Sequence, residues 1–244
     1  MTNFLNLKKI NLYARRYGAF NGFRVFLAQR CRKVFDPHNI SSYSQTGEDR
    51  IVSHLLNVER GFYVDVGCNH PQRFSNTFEF YKKGWRGINI DANSGLIDEH
   101  RRIRREDTSV CAVVSDEERD IVFTEFKDSL ISSVSDSHVD QWKSVREIKE
   151  QRTVRAETLN AILERHQAPH RFDLLSIDVE DHDFEVLSSL DLEKYRPSVI
   201  VIEIHGFDIE NPDQNDIYVH LKKHGYKMVG FVIANGYFTD SRRN

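Results

Sequence analysis

The sequence predicts an α/β fold: a mostly parallel, seven-stranded sheet with helices on both faces and an antiparallel closing strand. From residue 44 onward, short and uninterrupted apolar runs alternate with segments of helical periodicity. Unbroken apolar strands separated by helices are typical of a parallel sheet that is covered on both faces. Near the C-terminus, two strand-like runs flank Asn235-Gly236, which predicts a hairpin and hence an antiparallel last strand.

The individual elements are predicted from these patterns in chain order. The first helix begins near Thr46, interpreted as its N-cap because Asp49 follows three residues later. The polar segment 127–150 is interpreted as a long loop that carries a helix, and such loops often cover substrate sites. Further helices are predicted at 75–83, 94–105, 156–166, 183–190 and 214–224. The strands of the sheet are predicted at 62–66, 87–91, 109–114, 172–178, 198–204, 226–233 and 236–239, and 120–126 is predicted as an extra strand.

Length and cysteine usage predict a cytoplasmic protein. The 244 residues suit one large α/β domain plus an appendage, and we divide them into an extension at 1–42 and a domain at 43–244. The three cysteines are few and odd in number and form no C-x-x-C pair, which indicates a reducing compartment. The sequence shows neither a secretory signal nor an apolar run of the ~20 residues that span a bilayer.

Charge is unevenly distributed along the chain. Residues 1–35 carry eight basic and no acidic residues, so residues 36–244 have a net charge of −11 against −3 for the whole chain. The acidic body argues against a nucleic-acid partner, because such proteins carry a broad basic face. The basic arm predicts one or two amphipathic helices. Two alternatives stay open for it: peripheral contact with the inner face of a membrane, or packing on the body or on a second subunit of a homo-oligomer.

Acidic residues stand at or near the ends of four predicted strands: Asp65, Asp91, Asp178 and Glu203. A carboxylate at such a place is costly unless something pairs with it. Because ligands of these sheets bind at the carboxyl ends of the strands, the four acids predict a shared polar site at that edge.

A single glycine after the first strand indicates the kind of ligand. Gly67 allows a tight turn, but no G-x-G-x-x-G pattern follows it, so a dinucleotide pyrophosphate site is disfavoured. A nucleoside cofactor with an amino-acid tail fits better, and Asp91 is placed to accept hydrogen bonds from ribose hydroxyls. The alternative is that Asp65 and Asp91 merely cap turns or helices.

Several linked motifs resemble those of the FkbM-type methyltransferases, over roughly residues 43–205. The resemblance implies a Rossmann-like class I methyltransferase fold, S-adenosylmethionine as methyl donor, and commonly a sugar hydroxyl as acceptor. The matching segments are Ser44-Gln-Thr-Gly-Glu-Asp49, Tyr63-Val-Asp-Val-Gly-Cys-Asn-His-Pro71, Ser75-Asn-Thr77, Lys83-Gly-Trp-Arg-Gly-Ile-Asn-Ile-Asp91 and Leu174-Leu-Ser-Ile-Asp-Val-Glu180.

The resemblance also implies residue roles at the donor site. It places Asp91 at the ribose and lets Gln45 and Glu48 close over the cofactor. Ser75 has the alternative role of a helix N-cap. Around the methionine part it places Asp65, Gly67 and Asn69, and along the same edge Ser75, Asn76 and Thr77.

Two departures from the family pattern bear on the acceptor. The family usually has glycine after Asp-Val-Glu, whereas this chain has Asp181-His182, and its strand-two acid is often glutamate where this chain has Asp91. The second change is chemically mild. The first adds bulk and charge beside the predicted reaction centre, so it leaves the acceptor open rather than the donor; a lipid or a secondary metabolite remains an alternative acceptor.

A sugar hydroxyl is a poor nucleophile at neutral pH and needs a base or a metal ion. Asp178, Glu203 and His205 are candidate ligands of Mg²⁺ or Mn²⁺, and Glu180 or His182 is the candidate base. The alternatives are ordinary histidines and an acid that complements a helix dipole at Glu180. Two other functions are weighed: a nicotinamide oxidoreductase, which lacks its glycine motif here, and a non-catalytic donor-binding module.

Overall fold

The computed structural model describes residues 15, 18–21, 23–27, 42–127 and 132–242. The chain divides into two compact units, residues 1–41 and 42–244. In the first unit, residues 19–21 and 23–27 are helical, and the rest of the predicted basic arm lies outside the described residues. Among the helices that are described, none is long and apolar enough to cross a bilayer.

The second unit contains ten strands and seven α-helices within its described residues. The strands are β1 (Phe62–Val66), β2 (Arg86–Asp91), β3 (Thr108–Cys111), β4 (Val113–Val114), β5 (Asp120–Phe126), β6 (Ile148–Glu157), β7 (Arg171–Ile177), β8 (Arg196–Glu203), β9 (Tyr226–Val232) and β10 (Asn235–Asp240). The helices are α1 (Glu48–Leu55), α2 (Phe78–Lys82), α3 (Ser94–Ile103), α4 (Asp136–Trp142), α5 (Leu159–Arg165), α6 (Asp183–Ser188) and α7 (Asp216–Lys223).

Seven strands form the main sheet in the order β3-β2-β1-β7-β8-β10-β9. All neighbours pair in parallel except β10, which is antiparallel to both β8 and β9. The predicted mostly parallel, seven-stranded sheet with an antiparallel closing strand is therefore confirmed. The strand order reverses direction at β1, so β1 and β7 flank the crevice in which such sheets bind ligands.

Helices cover both faces of the sheet, as alternation along the strands requires. On β1, Val64 and Val66 belong to a core with residues of α5, α6 and α7, such as Ile162, Leu187 and Leu221. Tyr63 on the same strand points to the opposite core. That second core contains Val52, Phe80, Trp85, Leu174, Val199, Val201 and Tyr237.

A second, three-stranded sheet of order β4-β6-β5 corrects two predictions. The predicted strand 109–114 is broken at Ala112, because β3 pairs with β2 while β4 pairs with β6. The segment 127–150 does carry a helix, α4, but β6 occupies 148–157, which includes the start of the helix predicted at 156–166. Most side chains of β6 are polar and outside the core, so the strand lacks the apolar run that identifies the others.

Two local predictions are also wrong. The final turn lies at 233–234, and Asn235 and Gly236 belong to β10. Glycine at 236 serves packing, since a Cβ there would lie 2.9 Å from the Ile204 side chain. The N-cap of α1 is Gly47, at φ 100°, rather than Thr46; the Thr46 hydroxyl instead donates a hydrogen bond to Glu48.

Candidate active site

A cleft opens at the carboxyl ends of β1, β2 and β7, with about 830 Å³ of empty space including its open mouth. The walls come from the loops at the strand ends, from β4 and β5 of the second sheet, and from residues 132–134, which follow β5. The lining residues are Gln45, Val66, Gly67, Asn69, Phe74, Ile90, Asp91, Ala92, Asn93, Ala112, Val113, Val114, Phe123, Ser132, Ser133, Val134, Asp178, Val179, Glu180 and His182.

Gly67 allows the loops that follow β1 and β7 to approach each other closely. Its φ of 76° favours glycine, and a Cβ at this position would lie 1.7 Å from the carbonyl oxygen of Asp178. The Gly67 amide donates to Ile90 O at 2.9 Å, and the Asp178 amide donates to Val66 O at 3.0 Å. Glycine is thus required by the close approach of the loops after β1 and β7, which meet at the floor of the cleft.

Asp91 joins the loops that follow β1 and β2. Its Oδ2 accepts the backbone amide of Asn69 at 2.9 Å, and its Oδ1 accepts that of Asn93 at 2.8 Å. Burial raises the pKa of Asp91 to about 6, although the two amides act in the opposite direction. Each carboxylate oxygen keeps a further lone pair, so Asp91 can accept two hydroxyl groups from the cleft.

Asn93 is a site residue that the sequence analysis missed. Its side-chain oxygen caps α3 by accepting the amides of Gly95 and Leu96, and its amide group donates to Glu125 Oε1 of β5 at 2.9 Å. It thereby connects the second sheet to the loop that carries Asp91. An Asn two residues after a strand-end acid, directly before a helix, is an N-cap signal that could have identified it.

Five predicted donor-site residues lie in buried or part-buried hydrogen-bond networks rather than in the cleft wall. The centre of one network is Arg104, whose side chain is fully buried and donates to Ser75 Oγ at 2.6 Å and to Thr77 Oγ1 at 2.7 Å. Thr77 in turn donates to Asp65. Burial raises the pKa of Asp65, and the Arg104 charge opposes that rise. These contacts fix the loop between β1 and α2.

The other two of these five residues, Asn76 and Glu48, connect neighbouring segments of the chain. Asn76 donates to Ser176 Oγ on β7 at 3.0 Å. Glu48 accepts hydrogen bonds from the Thr46 amide at 2.9 Å and from Asn235 at 3.1 Å. Burial alone would raise the pKa of Glu48, but hydrogen bonds from the Thr46 hydroxyl and from backbone amides hold it below its usual value. Of the Ser44–Asp49 motif, Gln45 is the residue that lines the cleft.

Asp178 and Glu180, which line the cleft, belong to a cluster of carboxylates. Burial and the neighbouring Glu203 raise the pKa of Glu180 to about 8, and the same two causes raise that of Asp183 to about 8. Burial and Glu203 also raise the pKa of Asp178 well above its usual value. A hydrogen bond to Glu203 raises the pKa of His205 to about 9. The cluster therefore holds protons at neutral pH that ordinary carboxylates release.

Three of these groups converge closely enough to share a cation. One ligand atom from each of Glu180, Glu203 and His205 lies within 4.8 Å of the other two. The predicted ligands Glu203 and His205 are thus adjacent, with Nε2 of His205 3.2 Å from Oε2 of Glu203. Among the residues in the described part of the chain, Glu180 rather than Asp178 completes the group.

His182, the other candidate base, is already engaged. It is buried, and its Nε2 lies 3.0 Å from Ser115 Oγ. Burial lowers its pKa, against the effect of Glu185. Glu180 is more accessible, with a quarter of its side chain exposed.

Backbone strain concentrates around the cleft. Six non-glycine residues have positive φ in the described part of the chain, and three of them line the cleft: Asn69, Phe74 and Glu180. A fourth, Asp181, directly follows. Such conformations cost ~1–3 kcal/mol each and cluster at functional sites. The exposed ring of Phe74 at the cleft had no signal in the sequence.

Comparison with known proteins gives a family match but no curated relative. Residues 65–228 match the family described as the methyltransferase FkbM domain. The search of curated proteins finds no match.

Three solved structures resemble the fold at low identity. One is a TehB-like SAM-dependent methyltransferase from Corynebacterium glutamicum ATCC 13032 Kitasato, with 16% identity, a TM-score of 0.40 and coverage of 88% of this chain and 96% of that one. Precorrin-6y C5,15-methyltransferase from Geobacter metallireducens GS-15 has 11% identity, a TM-score of 0.40 and coverage of 78% and 84%. The methyltransferase domain of bacterial CtHen1-C has 13% identity, a TM-score of 0.37 and coverage of 80% and 96%.

Proposed function

This chain belongs to the FkbM methyltransferase family, and on that premise we propose that it transfers a methyl group from S-adenosylmethionine to a hydroxyl of a neutral sugar or glycan. The observation that carries the proposal is the continuity of the cleft. Asp91, Gly67 and Glu180 line the same cleft; we place the donor beside Asp91 and Gly67, the first end, and the acceptor beside Glu180, the acceptor end.

The residues at the first end fit the donor. Asp91 offers two free lone pairs to ribose hydroxyls while its other acceptor sites hold the loop amides. Apolar side chains beside it suit an adenine ring: Ile90, Val113, Val114 and Phe123. Gly67 and Asn69 are left to hold the amino-acid part. The bound donor supplies a methyl group on a positively charged sulfur that is already activated for transfer.

The protein's own task is alignment of the acceptor and removal of its proton. Good alignment alone supplies up to ~7–11 kcal/mol of barrier reduction. Glu180 lies at the acceptor end with its side chain partly exposed, and its raised pKa makes it a stronger base than an ordinary carboxylate once it is ionised. We therefore assign removal of the acceptor's proton to Glu180 rather than to His182, whose Nε2 contacts Ser115.

The charge of the acceptor end supports a neutral, hydroxylated acceptor. The ion-pair partners of Glu180, Asp181 and Glu203 are histidines, and among the described residues no lysine or arginine pairs with these three acids, so this end lacks the Lys and Arg contacts that phosphates prefer. An amine would be held as its ammonium form by these carboxylates, and an ammonium nitrogen has no lone pair to attack. Oxygen is thus the favoured methylated atom.

A divalent cation is a finer part of the proposal. Glu180, Glu203 and His205 fit a cation as two oxygens and one nitrogen. The nitrogen favours Mn²⁺ over Mg²⁺, since Mg²⁺ prefers oxygen ligands in octahedral geometry. A cation there would lower the pKa of a bound hydroxyl.

Labelled methyl transfer tests the proposal. Wild-type protein is incubated with radiolabelled S-adenosylmethionine and a panel of neutral sugars, glycans, sugar phosphates and amines. We expect label in a neutral sugar or glycan and at least a hundredfold loss of rate in Glu180→Gln. The matched control, Glu185→Gln, should keep most of the rate. Transfer to amines would overturn the oxygen assignment, and donor binding without transfer to any acceptor would favour a non-catalytic binding module.

The basic arm gives the proposal a location. In its described helical part, Phe20, Phe23 and Leu27 are exposed at a spacing that places them on one helix face, and the guanidinium of Arg24 lies 5.9 Å from the centre of the Phe20 ring. Exposed aromatic groups beside basic residues suit an anionic bilayer surface. We therefore propose that the arm touches a membrane, near which a glycan acceptor would be made.

A further inference from the structure

Two consecutive residues at the acceptor end adopt a backbone that glycine prefers. Glu180 has a φ of 58° and Asp181 a φ of 67°. Such a conformation is unfavourable for a residue other than glycine and persists where surrounding contacts hold it. This 180–181 turn carries Glu180, so the contacts that hold the turn also orient that side chain.

Ser133 makes the first of these contacts. Its hydroxyl donates to the carbonyl oxygen of Glu180 at 2.6 Å and accepts the amide of Ser135 at 2.9 Å. Its backbone pairs with Thr124 of β5 through hydrogen bonds of 3.0 and 3.2 Å. The turn is therefore tied to the second sheet rather than to its own strand.

His138, on α4, makes the second contact. Its side chain is buried, and its Nδ1 lies 3.7 Å from Asp181 Oδ2 and 3.8 Å from Glu180 Oε2. The other oxygen of Asp181 lies 3.7 Å from His205 Nε2. Asp181 thus lies between a histidine of α4 and the histidine that follows β8.

The two contacts belong to one closed path. Ser135, which bonds Ser133, caps α4 by accepting the amide of His138 through its hydroxyl. The ring of His138 also packs against Trp142 at 6.3 Å between centroids. The segment from Ser133 to α4 therefore holds the turn in two ways: Ser133 binds its backbone, and His138 contacts its side chains.

We propose that His138 is a positioning residue that, through Asp181 and the carboxylate of Glu180, fixes the 180–181 turn and aims Glu180 at the acceptor. The inference rests on the proposed role of Glu180. It assigns a function to α4, which lies in a segment that the sequence indicated only as a cover of the substrate site. Asp181 occupies a backbone position that suits glycine because its side chain completes this contact.

Amide hydrogen exchange tests the proposal without needing the acceptor. Three full-length variants are compared with wild type, each with saturating S-adenosylhomocysteine, over peptides spanning 178–186 and 136–142. His138→Phe keeps a ring against Trp142 but removes the polar contact. His138→Asn keeps a donor near the position of Nδ1. Asp181→Gly relieves the backbone strain and removes the carboxylate.

We expect His138→Phe and Asp181→Gly to speed exchange in the 178–186 peptide at least tenfold, with 136–142 unchanged. His138→Asn should restore wild-type exchange. Asp181→Gly should loosen the turn without lowering the melting temperature, which a purely structural role would not allow. Unchanged turn exchange in His138→Phe, or equal loosening by His138→Asn, would overturn the proposal.

Failure of the proposed function is seen separately. Affinity for S-adenosylhomocysteine, measured by calorimetry, should stay within about twofold of wild type in all three variants. If wild type does not bind S-adenosylhomocysteine, the donor assignment fails. Amide exchange recorded without this compound would still decide whether His138 holds the turn. Asp140→Asn, an exposed acid on α4 that pairs with Lys143, is the matched control.

Discussion

Asp91, at the end of β2, accepts a 2.9 Å hydrogen bond from the backbone amide of Asn69, in the loop after β1. The second oxygen of the same carboxylate accepts the amide of Asn93. One side chain thus fixes two loops of the cleft and still offers lone pairs to a ligand. Its ionisation should therefore govern donor binding.

Donor affinity should depend on pH through Asp91. Burial raises its pKa to about 6, and the ionised form accepts the ribose hydroxyls, so affinity should be full above pH 7 and fall as pH falls through 6. One required deprotonation weakens binding about tenfold at pH 5. Calorimetry with S-adenosylhomocysteine between pH 5 and 8 measures this change, and pH-independent affinity in wild type would contradict it.

Removing the Arg104 charge should destabilise the fold. Arg104→Met leaves Ser75 and Thr77 without a donor and removes the charge that opposes the effect of burial on Asp65, and leaving a buried polar group unsatisfied costs ~1–3 kcal/mol. Urea denaturation measures the free energy of unfolding. The neighbouring Arg105 is exposed, so Arg105→Met should change it by less than ~0.5 kcal/mol. Equal effects of the two substitutions would refute the network's role.

A divalent cation should stabilise the protein through the acceptor end. At a hundredfold excess over its dissociation constant, a ligand adds ~2.7 kcal/mol, which for a domain of this size raises the melting temperature by ~5–10 °C. We expect this shift with Mn²⁺, its loss with EDTA and its absence in Glu203→Gln. Glu210 is exposed, and Glu210→Gln should behave as wild type. The same melting temperature with and without Mn²⁺ would remove the cation from the account.

The basic arm should bind anionic bilayers. Phe20→Ser combined with Phe23→Ser removes two exposed aromatic side chains from the helix face, and binding should fall at least tenfold in liposome co-sedimentation. Added salt should weaken wild-type binding because Lys and Arg contribute. Val122 is half-exposed in the other unit, so Val122→Ser is the control. Equal sedimentation of all variants would leave packing on another surface as the role of the arm.

The main sheet was predictable because its strands are buried on both faces. Val64, Ile88, Leu175 and Ile200 are buried and lie in short, uninterrupted apolar runs, which are typical of strands in a parallel sheet. The polar strand β6 was not predictable, since alternation with few apolar residues resembles a loop. The turn was wrongly predicted at Asn235-Gly236, because the sequence does not distinguish a glycine required for packing against Ile204 from a glycine required for a turn.

The residues of the site also fall into those that the sequence predicts and those that it does not. Asp91 and Gly67 follow strands at places where chain direction alone brings them to the cleft. Arg104, His138 and Ser133 reach the site only through packing of distant segments, and each local sequence reads as an ordinary helix end or polar loop. The pairing of His138 with Asp181 across 43 positions leaves no local pattern, so it required the structure.

Calorimetry of S-adenosylhomocysteine binding to wild type and to Asp91→Ala at pH 7.5 tests the central claim most directly. The account predicts one site per chain in wild type and at least a hundredfold weaker binding in Asp91→Ala, with Asp98→Ala, an exposed acid on α3, unchanged. Well-folded wild-type protein that takes up none of the compound, or an Asp91→Ala variant that binds it as tightly, would contradict the account.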